Sequence, residues 1–279
     1  MLHAVTCLFN PSSYASRADN YWTFRERLDC PLTTIELSFT GHFSVPDAIH
    51  VHGGPDHLMW QKERLLNIAI AALPPDVDRV AWIDADLIFR ASDWVHRADA
   101  LLDRYPVVQL FDRIVMLDAA GQPVAARRSF GATRGAFYGA PGGAWAAQRR
   151  VVSAGLLDFD ILGGGDYLAA LAWCQRWKPN HLSSYPKPMI RAFLAWAKSQ
   201  QPLVGGQVGC VPGDVFHLYH GKVENRRYQT RSEILMAADF DPHIDIAKDS
   251  AGIWRWASDK PALRVEVKRY FDGRREDDI

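Results

Sequence analysis

Asp84 and Asp86 stand one residue apart at the end of the run Arg79-Val80-Ala81-Trp82-Ile83. An almost continuously apolar run of this kind reads as a buried strand of a parallel sheet. The carboxyl end of such a strand opens on the crevice where open α/β sheets bind ligands. Two hard carboxylate oxygens there suit Mg²⁺ or Mn²⁺, and a divalent ion so placed suits a diphosphate. The competing structural reading gives one acid to the cap of a following helix and leaves the other solvated.

Three more constellations carry chemistry-bearing side chains. Gly163-Gly164-Gly165-Asp166 places a carboxylate at an expected helix N-terminus, after glycines that let the backbone approach a ligand closely. Asp166 there is either a plain N-cap or a base for an incoming hydroxyl. Phe216-His217-Leu218-Tyr219-His220-Gly221 is strand-like, and strand alternation sets His217 and His220 on opposite faces. One face would bring a histidine beside the metal; the two together would not share one ion from a regular strand. Lys222, Arg226 and Arg227 follow and either neutralise a leaving diphosphate or form a solvated basic surface. Trp60-Gln61-Lys62-Glu63-Arg64 with Asn67 is the fourth. Lys62 or Arg64 could reach a nucleotide from there, though a charged helix face explains the same pattern.

Alternating elements must position these groups. Residues 4–9 and 32–39 read as strands, with a helix over 15–28 between them and a short strand at 48–51. A helix is expected over 57–73, capped by Asp56 and stopped by Pro74-Pro75. The acid-bearing strand follows, then a helix from Ser92 to Tyr105 and a strand over 107–117 interrupted at Asp112-Arg113. This β-α-β-α-β order is the signature of a doubly wound parallel sheet. Beyond it lie an expected mobile loop at 129–143, a strand-like turn at 144–146 leading into a short helix over 148–154, and helices over 167–177 and 189–198. A late strand is expected over 208–219, then a capping box at Thr230-Arg231-Ser232-Glu233. The charged segment 271–279 is expected either to fray or to fold over the site.

The chain has 279 residues and no net formal charge, so no electrostatic argument favours nucleic acid or an anionic membrane, a local cluster at Arg127, Arg128 and Arg134 aside. Its four cysteines are scattered with no C-x-x-C pair, which fits buried thiols in a reducing compartment. With no signal-like or membrane-spanning run at hand, the expectation is a cytoplasmic chain. Ten tryptophans are many for this length, and sugar sites use aromatic faces, so the excess points towards carbohydrate.

In this order the four constellations resemble the GT-A fold of nucleotide-sugar-dependent glycosyltransferases, over roughly residues 4–231. The closest flavour is that of small soluble bacterial and phage-type enzymes. Val80 to Asp86 looks like the family's strand and D-x-D, Gly143 to Arg150 like its acceptor-side strand and helix start, and Phe216 to Gly221 like its late histidine-bearing strand. The resemblance implies a Rossmann-like, mostly parallel central sheet flanked by helices. It implies a nucleotide-sugar-binding half at 1–120, an acceptor-side half at 121–230 and a helical or irregular C-terminal extension at 231–279. It further implies a donor that is a uridine diphosphate sugar. Asp86 would bind Mn²⁺ or Mg²⁺ directly, Asp84 would bind the ribose or the metal through water, and His217 would be the third ligand with His220 competing. Phe9, Asn10, Lys62, Asn67, Asp84 and Arg227 would contact the donor, and Asp166 would be the acceptor-side base if the enzyme inverts. The acceptor stays open between a glycan, a protein hydroxyl and a modified DNA base. Two rivals remain. A haloacid-dehalogenase-type phosphatase uses the same D-x-D with its first Asp as nucleophile, but Ile88 stands where that family commonly has Thr or Val. A catalytically degenerate nucleotide-sugar-binding protein would bind donor without transfer. A nucleotidyltransferase would need a Gly- and Arg-rich loop after the first strand, which Asn10-Pro11-Ser12-Ser13 does not supply.

Overall fold

The computed structural model describes residues 2–135 and 139–277. The first half alternates as expected: β1 (Leu2–Phe9), α1 (Ala15–Glu26), β2 (Leu32–Ser38), β3 (Ile49–His52), α2 (Lys62–Ala72), β4 (Arg79–Ile83), β5 (Leu87–Phe89), α3 (Trp94–Leu102), β6 (Val107–Gln109) and β7 (Arg113–Leu117). Then come β8 (Pro123–Arg128), β9 (Ala144–Gln148), α4 (Arg149–Val152), α5 (Gly165–Trp173), α6 (Lys187–Val204), β10 (Val208–Cys210) and β11 (Asp214–His217). Last come α7 (Ser232–Ala237), the hairpin β12 (Ile246–Lys248) and β13 (Trp254–Trp256), and α8 (Pro261–Asp272).

Seven strands form the main sheet in the order β10-β6-β9-β4-β1-β2-β3. All run parallel except β9, which pairs antiparallel with both β4 and β6. Alternation along β4 feeds two cores. Val80 and Trp82 pack on one face of the sheet, and Ala81 and Ile83 on the other. β1 divides in the same way, Val5 and Phe9 against Ala4 and Leu8. A second sheet, β5-β11-β7-β8, stands at the carboxyl end of β4.

Several boundaries depart from expectation for identifiable reasons. The helix expected from residue 57 begins at Lys62, because Met59 turns fully inward and the Trp60 N–H donates to the Ile161 carbonyl at 2.9 Å. Asp56 lies in a 3₁₀ turn and pairs with Arg264 instead of capping a long helix. α3 starts at Trp94, with neither Ser92 nor Asp93 donating or accepting a side-chain cap bond. The run 107–117 divides between the two sheets at Asp112, whose N–H donates to the Gly213 carbonyl. The run 208–219 divides likewise, at Val211-Pro212-Gly213, where Gly213 has φ +130°. α6 is longer than expected, from Lys187 to a left-handed stop at Gly205. α7 begins at Ser232 without a side-chain cap from Thr230. The expected loop at 129–143 lies partly outside the described residues. No helix among the described residues is long and apolar enough to cross a membrane.

Candidate functional site

A cleft of about 1280 Å³ opens at the carboxyl ends of β1 and β4, where the main sheet meets the second sheet and the glycine run before α5. Of the residues singled out from sequence, Phe9, Lys62, Asp84, Asp86, Asp166, His217 and Arg227 line it. Asn10 and Asn67 do not. The Asn10 amide is consumed by the start of α1, accepting from the Tyr14 N–H at 2.9 Å and donating to the Tyr14 carbonyl at 2.8 Å. Asn67 is likewise structural, bonded to the Leu156 backbone and to Asp158. Arg64 pairs with Asp158 at 2.9 Å. Phe9 sits at the cleft wall with its ring edge-on to Trp60 and Phe271, so little of it is open.

Register sets the metal-type trio. β11 pairs antiparallel with β5, with His217 opposite Leu87, and Leu87 directly follows Asp86. The Leu218 N–H closes the corner by donating to the Asp86 carbonyl at 2.8 Å. β11 then ends at His217, and the irregular backbone over 218–220 brings His220 round to the same side. Sequence alternation had set the two histidines apart; because the strand stops at His217, their rings lie 5.0 Å apart instead, near-parallel. Nε2 of His220 is 3.1 Å from Asp86 Oδ2, and Nε2 of His217 is 3.9 Å from Asp86 Oδ1. One ligand atom from each of the three lies within 4.8 Å of the others, an arrangement found once among the described residues.

The donor set fits a divalent cation. Asp86 Oδ1 is buried without a hydrogen-bond partner, a costly state for a carboxylate oxygen unless a cation meets it. Burial pushes the His217 imidazole down to about 3, so it is neutral and carries a lone pair at ordinary pH. Burial alone would raise the Asp86 carboxyl, but His217, His220 and Arg17 outweigh it and hold the group ionised, well below its usual range. Two imidazoles and one carboxylate are a softer set than the expected Asp84, Asp86 and His217.

The structure places Asp84 outside this trio. Its Oδ1 is 2.7 Å from the Lys62 ammonium. Burial raises the Asp84 carboxyl from its ordinary value, against the pull of Lys62. The same ammonium lies 4.0 Å from Asp166 Oδ2 and 3.9 Å from Glu63 Oε1. Burial works against the Lys62 charge, yet these acids hold its pKa well above the ordinary value. Lys62 thereby links the D-x-D corner to the start of α5.

Asp166 accepts from the Tyr167 N–H at 2.7 Å through Oδ1, which leaves Oδ2 turned to the cleft. That oxygen rests against Gly142, where an added Cβ would come within 2.1 Å of it. Gly163 has φ +88° and its backbone lies on the Trp60 ring, so the glycine run admits the close packing that shapes this wall.

Other groups in the cleft escaped sequence reasoning. Arg17 from α1 is paired with Glu276. Arg231 is half-buried near Asp160 and donates to the Gly163 carbonyl at 2.6 Å. Arg226, noted only as a general cation, sends Nη2 to within 3.1 Å of His220 Nε2. Arg and acid side chains scattered along a chain carry no local signal of their partners.

No family model and no curated protein matches this chain. Solved structures do match in overall fold, among them GT-A-type nucleotide-sugar transferases, the group its motifs resemble. Glucosyl-3-phosphoglycerate synthase from Mycobacterium tuberculosis, solved with Mn²⁺, uridine diphosphate and phosphoglyceric acid, is 13% identical over 95% of this chain and 91% of its own, with a TM-score of 0.44. The catalytic domain of Drosophila β1,4-galactosyltransferase 7 is 14% identical over 75% and 64%, at 0.35. 4-Diphosphocytidyl-2C-methyl-D-erythritol synthase from Anaerococcus prevotii is 9% identical over 76% and 87%, also at 0.35. At TM-scores this low, nothing about donor, acceptor or metal transfers from them.

Proposed function

We propose that this chain is a metal-dependent glycosyltransferase that moves a sugar from a nucleotide diphosphate sugar, of the uridine type, to an acceptor hydroxyl. The observation that carries the reading is one cleft lined both by the Asp86–His217–His220 trio and by the acceptor-side carboxylate Asp166, with Lys62 between the two sides. A Mn²⁺ held by the trio would supply positive charge to the leaving diphosphate. Arg227 lines the same cleft and adds to that field, whereas the Arg17 charge is met by Glu276. Lys62 holds Asp84 in place through their 2.7 Å ion pair. Asp166 Oδ2 takes the proton of the acceptor hydroxyl as the anomeric centre develops oxocarbenium character.

The phosphatase alternative fits less well. It needs Asp84 as a nucleophile, whereas Asp84 is engaged by Lys62, and it has no use for two imidazoles on Asp86. The test is a thermal-shift screen of nucleotide sugars with and without Mn²⁺, since a ligand that binds only the native state raises its melting point. Uridine diphosphate sugars are expected to raise it only when Mn²⁺ is present, and Asp86→Ala is expected to lose both that shift and turnover while keeping its fold. Near wild-type transfer by Asp86→Ala would refute the reading.

A further inference from the structure

The segment after α8 returns to the metal-type trio. Asp277 accepts from the Ala15 and Ser16 N–H groups at 2.7 and 2.9 Å, capping α1, whose own preceding residue Tyr14 offers no side-chain cap. The Arg275 N–H donates to the Tyr14 hydroxyl at 3.0 Å. Between these two anchors Glu276 is 2% exposed. Its carboxylate accepts from Arg17 Nη2 at 2.8 Å and from Arg274 Nε at 2.5 Å. Its Oε2 lies 3.3 Å from Nδ1 of His220. Gly221, next to His220, admits the segment: an added Cβ there would come within 2.7 Å of the Arg275 carbonyl and the Glu276 backbone.

The two ring nitrogens of His220 therefore face different partners. Nδ1 is buried and makes no regular hydrogen bond, and the group it faces at 3.3 Å is a carboxylate that can only accept, so Nδ1 bears the proton. Nε2 then presents its lone pair. It lies 3.1 Å from Arg226 Nη2, a donor, and 3.1 Å from Asp86 Oδ2, an acceptor. Here the Arg226 N–H is the positive partner of that lone pair; a divalent ion seated between Nε2 and Asp86 Oδ2 would take its place.

We propose that Glu276 is a positioning residue of the metal centre, fixing His220 in the Nδ1-protonated tautomer so that its Nε2 lone pair faces the cation. The inference rests on the metal reading given above. Carboxylates that hold the second nitrogen of a ligating histidine typically contribute about 10–100-fold in metal affinity. Glu276 does so from a segment otherwise tied to α1, 56 residues along the chain from His220.

The test is Mn²⁺ binding to the full chain without nucleotide, followed by loss of the free-Mn²⁺ electron paramagnetic resonance signal. Electron spin echo modulation counts the nitrogens bound to the ion. The wild type is expected to bind Mn²⁺ through two imidazole nitrogens, and Asp86→Ala to lose binding. Glu276→Ala is expected to bind about 10–100-fold more weakly and to show one nitrogen. Glu276→Gln, which keeps an acceptor for Nδ1, is expected to regain the second nitrogen and part of the affinity; it carries the test alone if the alanine variant does not fold, and must then still bind more weakly than wild type. Wild-type Mn²⁺ binding that Asp86→Ala abolishes but the Glu276 variants leave unchanged, with two nitrogens, overturns this inference and spares the metal reading. No Mn²⁺ binding by the wild type overturns both.

Discussion

Replacing Glu63 with glutamine isolates one buried charge at the edge of the cleft. Glu63 opens α2, is 6% exposed, and accepts from the Trp60 indole N–H at 3.1 Å through Oε2. Its other oxygen, Oε1, has no hydrogen-bond partner. Burial, reinforced by Asp166 and Asp160 and opposed by Lys62, pushes its carboxyl from 4.5 up to about 8. The sign follows from proton counting. Between those two values the native state keeps a proton that the unfolded chain has lost, so stability falls as pH rises. The contribution is fully present below about 4.5 and gone above about 8. At ~1.36 kcal/mol per pH unit the window is worth about 5 kcal/mol. Glutamine cannot ionise, keeps an acceptor for Trp60, and has a similar helix propensity. Urea unfolding followed by tryptophan fluorescence at several pH values between 5 and 8 measures the difference between the two proteins, in which the other titrating groups cancel. Glu63→Gln is expected to gain on the wild type steadily with pH and to be the more stable protein by pH 8. A difference that stays constant across the range would refute a buried, neutral Glu63.

Asp166→Asn is expected to lower kcat by about 10²–10⁴-fold while donor affinity stays near wild type; a donor-affinity defect with kcat retained would make Asp166 a binding group instead. Gly163→Ala sets a Cβ within 2.9 Å of the Trp60 ring at a φ of +88°. Left-handed strain and overpacking together should cost about 2–4 kcal/mol, visible as a drop in melting temperature; an unchanged midpoint would contradict the packing described. Burial pushes the Cys7 thiol up to about 12, so roughly one part in ten thousand is thiolate at pH 8. Cys7 is only half-buried and lines the cleft, so its protection is that of a raised pKa: it should react slowly with a disulfide-exchange reagent in the native chain and faster once unfolded, and prompt native labelling would contradict the shift.

The sequence was most readable where chemistry and local pattern coincide. Arg79–Ile83 is apolar and ends in acids, so both the strand and its position at a ligand-binding edge could be read directly. The opposite direction of β9 could not, because Ala144–Gln148 has no pattern of its own to set polarity; its direction follows from pairing with β4 and β6. Strand alternation sets His217 and His220 apart only if the strand runs past His217, and the local sequence does not mark where it ends. Asn10 and Asn67 had the right chemistry for a donor site, but nearby backbone claimed their amides, a competition that spacing does not reveal. Glu276 and Arg17 meet across most of the chain, and the sequence holds no local trace of that contact.

The central claim is that Asp86, His217 and His220 hold one divalent ion at the foot of the cleft. Anomalous diffraction at the manganese absorption edge, from crystals grown with Mn²⁺ and uridine diphosphate, tests it most directly. The expected result is a single strong peak bonded to the Asp86 carboxylate and to one nitrogen of each histidine, with the diphosphate beside it. A diphosphate bound in the cleft with no peak at the trio, or with the ion on Asp84 and Asp166 instead, would contradict it.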